Sequence, residues 1–183
     1  MRVRIPRVGT RIVAVERRTL KLLLDTLPRR GRVTWLGIRP ARRVPVIAVD
    51  EVEAAAGQGL TEDRFAGRYH SKRQVTLIQA EHLPVIASLL GRTELDPVLV
   101  RRNVVVEGIN LLALKDRWFR VGEALLETTG ICHPCSRMEE ALGAGGYKAI
   151  RGHGGITARL LHGGLIRRGD SVYVETIEQG EST

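Results

Sequence analysis

Aromatic side chains are nearly missing from this chain, with two Trp, three Tyr and two Phe in 183 residues. Val, Ile, Leu and Ala must therefore fill the core, and a nucleic-acid surface built on stacked bases has little to work with. Cysteine is scarce too, at two residues. That number excludes a disulfide framework and makes the cytoplasm the expected compartment. No apolar stretch approaches the roughly 18 residues that span a bilayer, so no membrane partner is expected. The basic start, Met1 to Arg7, is followed by no uninterrupted apolar signal core. Internal repeats, low-complexity tracts and composition breaks are also lacking, and a chain of this length suits one domain.

What is abundant is arginine and glycine. Lys and Arg number 29 against 20 Asp and Glu, a net charge of +9, and there are 20 Gly. Arginine favours forked contacts with phosphate or carboxylate. The basic residues are spread along the chain without a run of five. A background preference for arginine, a bound phosphate or pterin, and nucleic acid all remain readings of this excess, the last opposed by the scatter and by the scarce aromatics.

Apolar spacing predicts a short amphipathic helix within 16–27, ended by Pro28 and Gly31. Strands are predicted at 32–38, 44–49, 74–78, 103–106, 117–121, 124–128, 156–161, 165–168 and 171–174. A helix is predicted over 81–90, and Asp96-Pro97 can start one more helical turn. Short runs broken by Gly-containing turns favour hairpins and a closed barrel over βαβ crossovers. The expected fold class is mainly β with a few short helices, a distorted closed β-barrel. Its expected boundaries are a basic arm and short helix over 1–31, the barrel over 32–175 and a tail over 176–183.

The densest chemical cluster is Gly130-Ile131-Cys132-His133-Pro134-Cys135-Ser136-Arg137. A Cys-x-x-Cys pair could be half of a zinc site, a redox pair, or one reactive thiolate beside an incidental neighbour. No second pair exists for zinc, and a redox pair should open a helix in an α/β unit, whereas Gly, Pro and β-structure surround this one. Arg137 and His133 would favour the thiolate of a neighbouring cysteine. Spacing does not choose between Cys132 and Cys135. In the loop over 57–68, glycines would let backbone approach a ligand, and Arg64 could fork onto phosphate or simply pair with Asp63. At Arg101-Arg102-Asn103, strand alternation would send Arg101 and Asn103 to one side and Arg102 to the other. Asn103 offers the donor and acceptor a pterin edge needs, although two arginines beside a strand also make an ordinary solvated rim. In Arg151-Gly152-His153-Gly154-Gly155 the flanking glycines allow an exposed His153 ring or an anion-holding concavity, and equally a mobile hairpin loop.

In order and spacing these segments resemble the MOSC family, named after the C-terminal domain of molybdenum cofactor sulfurase. The run starts at Gly59-Leu60 and Asp63-Arg64-Phe65, continues through Gln74 to Ile78 and Arg101 to Asn110, and takes in Gly122-Glu123-Ala124. It closes with Cys132-His133-Pro134-Cys135 and Gly163-Gly164 through Arg168-Gly169-Asp170. The resemblance implies a distorted β-barrel that binds molybdenum cofactor, with Cys135, the second cysteine of its pair, as protein ligand to the metal. By the same likeness Arg64, Arg101 and Asn103 fall where cofactor is held, and Arg137 and His153 join them as candidates. The small bacterial stand-alone type is the nearer likeness, a group that includes reducers of N-hydroxylated compounds. It implies a reductase with Cys135 at its catalytic centre, a small redox protein as electron donor and an N-hydroxylated small molecule as substrate. His133, or His153 if its loop folds inward, is the candidate catalytic proton donor to the leaving oxygen. The alternative is a carrier of cofactor or persulfide sulfur without turnover of its own. Pyridoxal phosphate is not expected on this chain. His133-Pro134 departs from the pattern of the amidoxime reducers, which leaves the substrate pocket unassigned.

Overall fold

The computed structural model describes residues 20–175, apart from Ala66, Arg68 and the side chains of Lys21 and Leu22. In chain order the first half contains α1 (Leu20–Asp25), β1 (Gly31–Ile38), β2 (Ile47–Val49), β3 (Glu51–Ala55), β4 (Gly59–Leu60) and β5 (Val75–Gln79). There follow α2 (His82–Leu89), α3 (Pro97–Val100), β6 (Val104–Glu107) and a 3-10 turn (Leu111–Leu114). The rest comprises β7 (Trp118–Val121), β8 (Ala124–Ile131), α4 (Ser136–Leu142), α5 (Gly146–Ala149), β9 (Ile156–His162), β10 (Gly164–Arg167) and β11 (Ser171–Val174).

Seven strands close into a barrel in the order β11-β7-β8-β9-β5-β6-β1, because β11 also pairs with β1. That seam is short, with Gly31 opposite Val172 and Arg32 opposite Ser171. β2 extends the sheet beyond β1, and β10, β3 and β4 form a separate three-stranded sheet. Register shifts between Val33 and Trp35, and at two places along β8, bend the strands and distort the barrel. The predicted mainly β barrel is the observed architecture.

One connection departs from the expectation of hairpins alone. β5 and β6 run parallel, and α2 and α3 make the crossover that a parallel pair requires. The crossover also explains the unbroken valine run of β6. Leu77, Val104 and Val106 belong to the core inside the barrel, whose buried residues include one aromatic, Phe119. Their neighbours Ile78 and Val105 turn outward into a second core with Ile86, Val100, Met138, Leu142 and Ile150 from the helices. Strands covered on both faces read as continuous apolar runs.

Helices α4 and α5, and strands β3 and β4, were not expected from the sequence. Of the helix expected over 16–27, residues 20–25 are helical, and 16–19 lie outside the described residues, as do the arm at 1–10 and the tail at 176–183. Its Leu20, Leu23 and Leu24 are exposed, while Leu27 packs against the barrel core. Among the described residues no helix is long and apolar enough to cross a membrane.

Candidate functional site

Four segments border one cavity of about 580 Å3. The loop after β1 brings Arg39, Arg42 and Arg43, and the loop between β4 and β5 brings Asp63, Arg64, Phe65, Lys72 and Arg73. Arg101, Arg102 and Asn103 enter from the junction of α3 with β6, and Cys132, His133, Cys135 and Arg137 from the junction of β8 with α4. Among the described residues the lining carries nine Lys and Arg side chains against the single carboxylate of Asp63. Basic residues scattered along the sequence thus converge in space.

Asp63 ties two of these segments together. Its Oδ1 accepts from the Arg39 backbone N–H at 2.7 Å and lies 3.7 Å from Arg39 Nε. The Arg64 N–H in turn donates to the Arg39 carbonyl at 2.7 Å. The expected pairing of Asp63 with Arg64 is therefore not the observed one: Asp63 is spent on Arg39, and the exposed Arg64 side chain has no carboxylate partner among the described residues.

Asn103 is buried and fully engaged. Its Oδ1 accepts from Thr76 N at 3.1 Å and Thr76 Oγ1 at 2.8 Å. Its Nδ2 donates to the Gly37 carbonyl at 3.2 Å and to Asp63 Oδ1 at 3.3 Å. The residue borders the cavity, but its amide braces β1, β5 and the Asp63 loop.

Residues 101–103 do not alternate as a strand would, because β6 begins only at Val104. Arg101 instead caps α3 in the left-handed conformation, at φ 55°, and all three side chains border the cavity. Burial and the guanidiniums of Arg39 and Arg137 push Arg101 below the usual arginine range; the Cys135 sulfur opposes this, and Arg64 adds to it. Arg102 is buried, with Nε donating to the Gly154 carbonyl at 2.7 Å and Nη1 to the Val100 carbonyl at 2.9 Å. Its Nη2 reaches the Cys132 carbonyl at 3.5 Å. Burial lowers its proton affinity, with Cys132 and Cys135 acting the other way. Sequence reasoning missed Arg102 as a functional residue, along with Arg39, Arg42, Arg43, Lys72 and Arg73.

The two cysteines differ sharply. Cys132 is buried, and Cys135 is exposed. The Cys132 N–H donates to the Gly155 carbonyl at 2.9 Å. Cys135 occupies the residue before α4, and its carbonyl accepts from Met138 N at 2.8 Å. The pair therefore does open a helix, contrary to the sequence expectation, although that helix packs on a barrel. Among the described residues no three His, Cys, Asp or Glu side chains are grouped as metal ligands.

His133 is exposed and borders the cavity with Arg137. His153 is not brought there. Its ring stacks edge-on against His82 with centroids 5.2 Å apart, and its carbonyl accepts from His82 Nδ1 at 3.3 Å. The His153 Nδ1 is buried without a hydrogen-bond partner among the described residues. The neighbouring Gly154 and Gly155 carbonyls connect this loop to the site, the first through Arg102 and the second through the Cys132 N–H.

A small, closed β-barrel that displays one exposed cysteine in an arginine-lined cavity is the class of protein these features define. The chain belongs to the MOSC domain family, whose model matches residues 63–173. No curated protein matches it in sequence. Among solved structures it is similar to the YuaD protein from Bacillus subtilis, at 19% identity and a TM-score of 0.68, over 80% of this chain and 97% of that one. YiiM from Geobacillus stearothermophilus is 16% identical with a TM-score of 0.66, over 82% of this chain and 77% of that one. YiiM from Escherichia coli is 18% identical with a TM-score of 0.64, over 81% and 71%. At these identities the likeness is one of fold.

Proposed function

We propose that this chain binds molybdenum cofactor in the cavity, with Cys135 as the protein ligand to the metal, and that the loaded protein reduces N-hydroxylated compounds. The observation that carries the reading is an accessible thiol facing a cavity of ligand size whose cationic wall has almost no carboxylate of its own. The residues fit the group. A thiolate is a soft metal ligand, and the guanidiniums of Arg64, Arg101 and Arg137, which have no carboxylate partner among the described residues, suit the phosphate of a pterin. Bound there, the cofactor supplies two-electron oxygen-atom chemistry.

The chain's own contribution is orientation, charge and a proton. Arg102 fastens the segment bearing Cys132 to Gly154 and Val100, which leaves the exposed Cys135 as the sulfur presented to the cavity. Asn103 and Asp63 fix the loops that carry Arg39 and Arg64. His133 is an exposed group at the cavity wall that can hand a proton to the oxygen leaving nitrogen. Electrons come from a small redox protein.

The test is to express the chain in a cofactor-competent host and to measure molybdenum and pterin per chain. Cys135→Ser should lose the metal, and Cys132→Ser should retain it. Wild-type protein supplied with a chemical electron donor should reduce a hydroxylamine, an amidoxime or an N-oxide. Metal retention without any such turnover leaves a carrier. Absence of metal from the wild-type protein defeats both readings.

A further inference from the structure

We propose that the cavity has a second anion-binding lobe, built by Arg43, Arg101 and Arg137, which takes a phosphate or carboxylate other than the cofactor's own phosphate. The inference rests on the reading above only for what fills the first lobe.

A second cavity of about 400 Å3 is lined by Arg43, Arg101, Arg137, Glu140 and Ala141. Arg43, Arg101 and Arg137 also line the first cavity, so these three arginines stand between the two spaces. None of them has a carboxylate within ion-pair distance among the described residues, although Glu140 borders the lobe. Three like charges beside one carboxylate that pairs with none of them repel, and that cost is relieved when an anion binds. The backbone carries a cost as well. Arg43, at φ 68°, and Arg101, at φ 55°, are two of four described residues other than glycine with positive φ, and a third, Glu62, adjoins Asp63. Left-handed backbone at a side chain bearing a Cβ is unfavourable and clusters at ligand sites. Here it holds two guanidiniums on one wall. One phosphate is satisfied by a few forked contacts, and the two lobes together hold far more cationic side chains than that.

Two sources could supply the second anion: an acidic group on the substrate, or a nucleotide phosphate appended to the cofactor. The first experiment is independent of both. Cofactor-free protein is titrated with inorganic phosphate at low ionic strength, with stoichiometry read by calorimetry and by phosphorus NMR. Wild-type protein should take two phosphates per chain. Arg43→Asn, which suits left-handed backbone, should take one, Arg64→Ala should take one, and the double variant none. A single phosphate on the wild-type chain, or two on Arg43→Asn, overturns the proposal.

The loaded protein then distinguishes the sources. Its kcat/KM is compared for a carboxylate-bearing N-hydroxylated amidine and the neutral parent, and the extracted cofactor is assayed for nucleotide. A preference for the acidic substrate that falls by about tenfold in Arg43→Asn, with no nucleotide released, assigns the anion to the substrate. Nucleotide without that preference assigns it to the cofactor. Neither a preference for the acidic substrate nor bound nucleotide on the loaded protein would overturn the proposal, as a single phosphate on the cofactor-free chain would. Two bound phosphates on a chain that never takes up molybdenum would defeat the cofactor reading and leave the second lobe standing.

Discussion

The amide of Asn103 has two acceptor positions and two donors, and all four are taken by Thr76, Gly37 and Asp63. Truncating it strands buried partners, so Asn103→Ala should lower unfolding free energy by about 1–3 kcal/mol in a urea titration. Arg64→Ala should change stability by about 0.5 kcal/mol or less, because that side chain is exposed, while lowering anion affinity. The sequence had placed both residues in one role, as ligand groups. Only the fold shows that one side chain is free and the other bound to protein, since the partners of Asn103 lie 27, 40 and 66 positions away. His82 titrates differently in the folded and unfolded chain. Burial holds its imidazole below the ordinary value; the bond to the His153 carbonyl and the charge of Glu81 oppose this, and the His153 ring adds to it. A histidine depressed in the folded state takes up its proton more readily in the unfolded chain. Its stabilisation is complete above the unfolded value of about 6.5 and is lost as pH falls through the lower folded one. Denaturant midpoints measured from neutral to mildly acidic pH should therefore fall in the wild-type protein and fall less in His82→Gln.

At the scale of elements, the turn into β9 is the tightest point near the site. Gly155 has φ 79°, and a methyl group there would run into the Leu77 carbonyl and the Ile78 backbone. Its own carbonyl accepts from Cys132 N, so a shift at Gly155 moves the cysteine segment. Gly155→Ala should cost about 2–4 kcal/mol in unfolding free energy and reduce metal content together, a coupling that the same two assays would detect. Alternation and turn residues made most barrel strands readable, because a β-branched run such as Val104 to Val106, or the valines and tyrosine of Ser171 to Val174, has few other uses. What stayed hidden has a physical reason in each case. β3 carries Glu51 and Glu53 on its exposed face, and β4 is two residues long. α4 and α5 are short and set among Pro134, Gly143 and Gly145, which read as loop. The α2–α3 crossover could be seen as helices but not as the bridge of a parallel pair, since strand direction follows from pairing.

For the whole molecule, the question is where the excess charge goes. In the sequence it is diffuse and compatible with several partners. In the fold nine basic side chains line a single cavity, drawn from four segments that no local pattern joins. Anion affinity should therefore fall steeply with ionic strength, since screening shortens from about 10 Å at 0.1 M salt to about 3 Å at 1 M. Titrating phosphate into the cofactor-free chain across that range measures the slope, and a flat response would mean the cavity binds by shape instead.

The reciprocal bonds between Arg39 and residues 63 and 64 have a consequence for the history of such a chain. Two stretches separated in sequence by the whole of β2, β3 and β4 are fastened by one backbone bond and by the Asp63 carboxylate on the Arg39 N–H, and cannot vary independently. Exchanging either loop alone for that of another barrel would discard the fastening, so altered ligand preference should arise by paired replacement of both, with the cysteine-bearing segment left untouched.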